Sequence, residues 1–267
     1  MRMGEKTHFL ISDYLKLLQS WEWTQENIQK IKEGIAEEMR YEFEYSKVKD
    51  YKNLNFDERG WLSDDQLEST IKRVWNNLDE LIHSTWIEKI QDLMNWTNII
   101  YIENPKNPNF EAMKVEIWTL PKLKDISIMA SPDFWVIFNE NKYLILDWKS
   151  GKEPQDFIEI SDQIKIYALK LLMKKNKKPE LWNTEIEWYE VYLPNIHNHW
   201  GKIEQKDIDN IIEKIIQDTN FQKTFLVDQD AFKNQPLPPT TFSRTTNEKK
   251  CETCTFRKVC KDLKNFE

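Results

Sequence analysis

A chain of 267 residues, 40% hydrophobic and 31% charged, has the length and composition to bury a sizeable core and is not a disordered protein. A formal net charge of −7 argues against holding nucleic acid by bulk positive charge, so any such contact must rest on local patches. Five glycines with no G-x-G-x-x-G or Walker-type run exclude a glycine-rich phosphate loop, and no stretch approaches the roughly 20 apolar residues of a membrane helix. The opening MRMGEKTHFLISDYLKLL has too short an apolar run for a secretory signal, so the expected location is cytoplasmic.

Residues 7–48 carry helical apolar spacing, with Ile11, Tyr14, Leu15 and Leu18 followed by Ile28, Ile31, Ile35 and Met39. Polar and turn residues fill 49–62. A second helical run is expected from about 64 to 94, with Leu67, Ile71, Val74, Leu78, Leu81 and Ile87 in one stripe. Asn104-Pro105-Lys106-Asn107-Pro108-Asn109 breaks the chain, and strands are expected near 112–119 and 125–130.

The pattern sharpens at SPDFWVIFNENKYLILDWKSGK, residues 131–152. Phe134–Phe138 and Tyr143–Trp148 predict two strands joined by the polar turn 139–142. A period of two puts Tyr143, Ile145, Asp147 and Lys149 on one face and Leu144, Leu146 and Trp148 on the other. Asp133 stands at the mouth of the partner strand. Two carboxylates and an ammonium then meet at the end of a greasy hairpin, where charges are costly unless paired or bound to a metal.

Beyond the hairpin, residues 155–175 predict an amphipathic helix, 184–193 a strand, 194–201 a loop, and 203–218 a further helix. A proline-rich QPLPP stretch leads to a tail with Cys251, Cys254 and Cys260. Lys170, Lys174, Lys175, Lys177 and Lys178 form one basic cluster, and Lys249, Lys250, Arg257, Lys258, Lys261 and Lys264 another; each is weak support for a nucleic-acid contact. Trp75, Trp86, Trp96, Trp118, Trp135 and Trp188 fall at positions better suited to core than to base stacking. Strands, a crossover helix and a further strand, flanked by helices, predict an α/β sandwich.

Acid-x-Lys is common in so lysine-rich a chain; Asp147-Trp148-Lys149 stands apart because it ends a buried strand whose partner opens with Pro132-Asp133. This pairing, continuing as DWKSGK, resembles the PD-(D/E)XK nuclease superfamily, and most closely its RecB-like exonucleases. The resemblance implies a restriction-endonuclease-like αβ sandwich with a mixed sheet. It also implies a Mg²⁺ or Mn²⁺ held by Asp133, Asp147 and the Trp148 carbonyl, with Lys149 as catalytic lysine and Glu116 as an additional acid. Gln163 and Tyr167, four apart in QIKIYA, match the family's DNA-facing Gln-x3-Tyr. The resemblance further implies DNA as substrate, cutting from an end, and a helicase, repair or CRISPR partner or a role in phage defence. On this reading one nuclease domain spans 1–267, with a helical region over 1–105, the catalytic core over 106–200 and a helix and cysteine tail over 201–267.

Cys251-x2-Cys254-x5-Cys260 is similar to the tail of RecB-like nucleases, including AddB, that carry a 4Fe–4S cluster. Those relatives take a fourth cysteine from the N-terminal region, where this chain has Glu38-Met39-Arg40-Tyr41-Glu42-Phe43. A non-thiolate fourth ligand, zinc with His197 or His199, and loss of the cluster all stay open. Many RecB-like nucleases also place a ligand histidine on an N-terminal helix in a G-x-x-x-H setting; His83 lacks that setting and is left out of the site. His197 and His199 are expected in a surface loop, apart from catalysis. The rival reading is a catalytically silent DNA-binding or assembly subunit that keeps the fold, and a third is a zinc-binding structural protein.

Overall fold

The computed structural model describes residues 3–48, 63–97, 99–103, 113–114, 127–128, 130–151, 153, 159–176, 178–193, 195–230, 233–238, 241–242, 247 and 250. The helical run expected over 7–48 is two helices, α1 (Met3–Gln19) and α2 (Gln25–Val48). Trp21 between them has a φ of 61°, the left-handed region that L-residues avoid within a helix. The run over 64–94 likewise splits, into α3 (Asp64–Ile82) and α4 (Thr85–Trp96). Ser63 and Gln66 form a reciprocal capping box on α3, and the Ser84 hydroxyl accepts from the Trp86 N–H to start α4. The apolar stripe continues across the joint, so periodicity alone conceals it.

In chain order the strands are β1 (Ile99–Ile102), β2 (Met113–Lys114), β3 (Ser127–Ile128), β4 (Phe134–Asn139), β5 (Lys142–Lys149), β6 (Glu185–Tyr192) and β7 (His197–Lys202). Five of them make one mixed sheet in the order β1-β4-β5-β6-β7. β4 and β5 form the expected hairpin, with Phe134 opposite Leu146 and Val136 opposite Leu144. β5 and β6 are parallel, and α5 (Asp162–Asn176) makes the crossover that a parallel pair requires. α6 (Gln205–Lys223) follows β7.

Two strands depart from expectation. Ile99–Ile102 pairs antiparallel with β4, ahead of the Asn-Pro break. Residues 197–202, expected within a loop and its flank, pair with β6 as the edge strand β7. An edge strand needs few apolar residues, and β7 has none beyond Trp200, which is 62% exposed. Of the strands expected over 112–119 and 125–130, only the two-residue pair β2–β3 lies among the described residues.

The alternation of β5 divides the core. Leu144, Leu146 and Trp148 join Phe134, Val136 and Val191 against α1–α4, while Tyr143 and Ile145 join Trp135, Ile186 and Trp188 against α5 and α6. Helices therefore cover both faces of the sheet. Leu146 is fully buried. Leu146→Ala is expected to lower unfolding stability by about 2–5 kcal/mol through lost transfer energy and a residual cavity, read from urea denaturation.

The first basic cluster is engaged in packing. Lys170 is buried and donates to the Ala130 carbonyl, Lys174 and Lys178 lie over the rings of Trp135 and Trp182, and Lys175 donates to Asn141 and Thr184. Lys177 and all of the second cluster but Lys250 lie outside the described residues. Among the described residues no helix is long and apolar enough to cross a membrane.

Candidate active site

Extending the β4–β5 ladder one step beyond Phe134 and Leu146 brings Asp133 opposite Asp147. Both carboxylates are buried, Asp147 completely. Asp133 Oδ2 accepts the Trp148 N–H at 2.7 Å, and its carbonyl accepts the Glu103 N–H at 3.0 Å. The Trp148 ring packs on the opposite face of the sheet, so only its backbone reaches this end. Asp133 and Asp147 thus stand on neighbouring strands at one end of the hairpin.

Lys149, two residues beyond Asp147 on the same face, places Nζ 2.5 Å from Asp147 Oδ2. Oδ2 is buried, and its close polar partner is that ammonium. Gln163, in the first turn of α5, donates to Asp147 Oδ1 at 3.0 Å and accepts from Lys149 Nζ at 2.5 Å. Its amide also donates to the Tyr167 hydroxyl at 2.5 Å, the contact expected of residues one helical turn apart. Gln163 is exposed and Tyr167 buried, so the amide is the member of the pair that faces solvent.

Two further groups were not picked out in the sequence. His8 on α1 lies with Nδ1 3.1 Å from Asp133 Oδ1, and Glu103 follows the last residue of β1. One ligand atom from each of His8, Glu103 and Asp133 lies within 4.8 Å of the others, and no other such group of three occurs among the described residues. His8 stands in a Gly4-x3-His8 setting, the one that His83 lacks. Gly4 belongs there because α1 approaches the end of β5 closely: a Cβ on it would sit 2.9 Å from Ser150 Oγ. His83 instead closes α3, its Nδ1 2.7 Å from the Asp79 carbonyl oxygen.

The crowding of acids perturbs protonation. Burial, then the nearby Asp133, pushes Asp147 up to about 7, although Lys149 and His8 pull the other way. Burial and Asp133 also raise Glu103 above the usual carboxylate range. For His8 burial disfavours the charged ring, but Asp133, Asp147 and Glu103 outweigh it and push the imidazole up to about 9. Protons thus compensate a surplus of negative charge. A divalent cation is the other group able to do so.

The donor set fits such an ion. His8, Glu103 and Asp133 each bring a ligand atom within 4.8 Å of the others, and Asp147, opposite Asp133, is a further buried carboxylate held against Lys149. Hard carboxylate oxygens with one imidazole suit Mg²⁺ or Mn²⁺. Glu116 and the three cysteines lie outside the described residues. In the segment Glu38–Phe43, Glu38 and Glu42 bind the buried Lys6 at 2.7 and 2.6 Å, and Arg40 pairs with Glu68. His197 and His199 each bond one oxygen of Glu153, at 2.9 and 2.8 Å.

A mixed five-stranded sheet between helical layers, with paired carboxylates and a lysine where a hairpin meets the crossover helix, defines a restriction-endonuclease-like α/β fold. A model of the PD-(D/E)XK nuclease superfamily matches residues 23–261, and the chain belongs to that superfamily. Membership points to nuclease activity with a divalent metal and DNA as substrate. The matched span begins after α1 and so does not include His8. No curated protein and no solved structure matches the chain.

Proposed function

We propose that this protein is a Mg²⁺- or Mn²⁺-dependent, RecB-like deoxyribonuclease that hydrolyses phosphodiester bonds from a DNA end, in repair, recombination or phage defence. The gathering of His8, Glu103 and Asp133, with Asp147 opposite Asp133 on the paired strand and held against Lys149, carries the reading. Asp133, Asp147 and the Trp148 carbonyl would hold the ion, joined by His8 and Glu103. When bound, the ion supplies Lewis-acid polarisation of the phosphate and a hydroxide equivalent near neutral pH. The chain's own part is positional and electrostatic. Lys149 stands at the rim, its side chain 23% exposed, where its ammonium meets the charge that builds on a phosphate under attack. Gln163 fixes that ammonium against Asp147, with the Tyr167 hydroxyl bracing its amide, at the end of α5 that would face the passing strand.

The same family reading gives Cys251, Cys254 and Cys260 a soft-metal site, iron–sulfur or zinc. Visible absorbance with metal analysis separates these from an empty tail.

The test is cleavage of end-labelled linear DNA and of closed circles, with Mg²⁺, Mn²⁺ or EDTA. Expected is metal-dependent loss of linear DNA, sparing of circles, silence in Asp133→Ala, and in Lys149→Ala a residual rate lowered by roughly 10²- to 10³-fold, both variants still folding and binding DNA. Wild-type rates in either variant would remove the proposed site. DNA binding without cleavage under every metal would favour the silent-subunit reading.

A further inference from the structure

Glu190 takes no part in the scheme above, yet it is among the most buried charged groups of the chain, 1% exposed. It sits on β6 directly opposite Asp147 on β5, in the inward row Ile186, Trp188, Glu190, Tyr192. Asp147 therefore has Asp133 on one flanking strand and Glu190 on the other. An ionised carboxylate so deep is costly unless its oxygens are satisfied. Ser161, just ahead of α5, donates to Oε1 at 2.5 Å, and the Tyr192 hydroxyl donates to Oε2 at 3.3 Å. Among the described residues the cation paired with it is Lys149, its Nζ 3.8 Å from Oε1.

Lys149 thus stands between two buried acids, 2.5 Å from Asp147 and 3.8 Å from Glu190. A lysine stem has four rotatable bonds and a compact charge that follows the local field. With Asp147 alone, an ion bound at Asp147 would compete with the ammonium for the same carboxylate and release it. A second acid on the far side keeps the ammonium at its post when Asp147 turns to the metal. Through Ser161 the same carboxylate also anchors the start of α5, which delivers Gln163 to both Lys149 and Asp147.

We propose that Glu190 is a positioning residue that holds the Lys149 ammonium, and the Gln163 end of α5, against the metal-binding carboxylate. Its catalytic consequence rests on the nuclease reading; its structural half rests on the contacts alone.

The decisive experiment is a double-mutant cycle with the isosteric Glu190→Gln, which keeps acceptors for Ser161 and removes the charge. Expected is a fall in kcat of about 10- to 100-fold with the KM for DNA unchanged. No further loss is expected when Glu190→Gln is added to Lys149→Met, because its effect passes through the lysine. Multiplicative losses in the double variant, or a loss confined to KM, would overturn the proposal. Ser161→Ala and Tyr192→Phe, which loosen the carboxylate without removing it, are expected to give smaller losses that also vanish in the Lys149→Met background; they serve if Glu190→Gln does not fold. A wild type that cleaves no DNA defeats the nuclease reading but not this one. The crystal structure of Glu190→Gln soaked with Mn²⁺, beside that of the wild type, then decides: Nζ withdrawn from its post between positions 147 and 190 in the variant alone supports the proposal, and Nζ still seated there overturns it.

Discussion

Asp147→Asn is expected to abolish metal-dependent cleavage, by on the order of 10³-fold or more, while making the metal-free protein more stable at pH 8. The two effects have one origin. Asp147 is fully buried, opposite Asp133, and burial with that neighbour pushes its carboxyl up to about 7 even with Lys149 alongside. At pH 8 the metal-free protein must hold the ionised form in a place that disfavours it. Since one pKa unit corresponds to about 1.4 kcal/mol, the penalty is on the order of a few kcal/mol. Asparagine has nearly the same shape and no charge, so it removes the penalty together with the metal-binding oxygen. Lys149 keeps Glu190 and Gln163 as partners and is not left unpaired. The comparison is thermal unfolding in EDTA. The variant should melt above wild type at pH 8, and the gap should narrow as pH falls below 7 and close near pH 4, where Asp147 is protonated in the folded and the unfolded chain alike. A lower melting temperature at pH 8 would mean that the Lys149 pair outweighs the burial cost and that the carboxylate is structural.

What the sequence made legible follows from which signals are local. The hairpin was legible because Phe134–Phe138 and Tyr143–Trp148 alternate around a polar turn, and the same alternation put Asp147 and Lys149 on one face before any pairing was known. Helical spacing put Gln163 and Tyr167 on one face, but only the resemblance to the family's Gln-x3-Tyr pattern pointed to them as site residues. The joints at Trp21 and His83 were hidden because the apolar stripe resumes in phase on the far side. β7 was hidden because NIHNHWGK lacks the apolar alternation that marks a half-buried strand. Glu103 was hidden because it stands against an Asn-Pro break, where a loop is the natural expectation, and its β1 is only four residues long. Glu190 did carry a signal. Glu185 and Glu187 share the half-exposed parity of β6, whereas Glu190 falls in the inward row with Ile186 and Trp188. A carboxylate in an apolar row asks for partners that lie elsewhere in the chain: Ser161 is 29 residues away.

Affinity for Mn²⁺ is expected to rise by roughly tenfold per pH unit for each proton the ion displaces, and to reverse the pH dependence of stability. In the metal-free protein both perturbed groups hold protons that the unfolded chain gives up. Asp147 stays protonated up to about 7 against an ordinary 3.8, so its favourable state is lost as pH rises through that interval. His8 stays charged up to about 9 against 6.5, so its contribution is complete below 6.5 and lost as pH climbs through 9. The unfolded state binds fewer protons across this range, and stability must fall from about pH 4 to pH 9. A cation that takes the Asp147 oxygen and the His8 nitrogen needs both protons gone. Between pH 6 and 8 its affinity should therefore improve by at least about 10- to 100-fold, with one to two protons released per ion. Calorimetric titrations in buffers of different ionisation enthalpy count those protons directly. Under saturating Mn²⁺ the melting temperature should gain more at pH 8 than at pH 6, because stabilisation grows with ligand concentration over Kd. His8→Ala should lower the proton count by about one and flatten the slope between pH 7 and 9. An affinity that does not change with pH would place the ion away from Asp147 and His8, and the acid cluster would then owe its protons to burial alone.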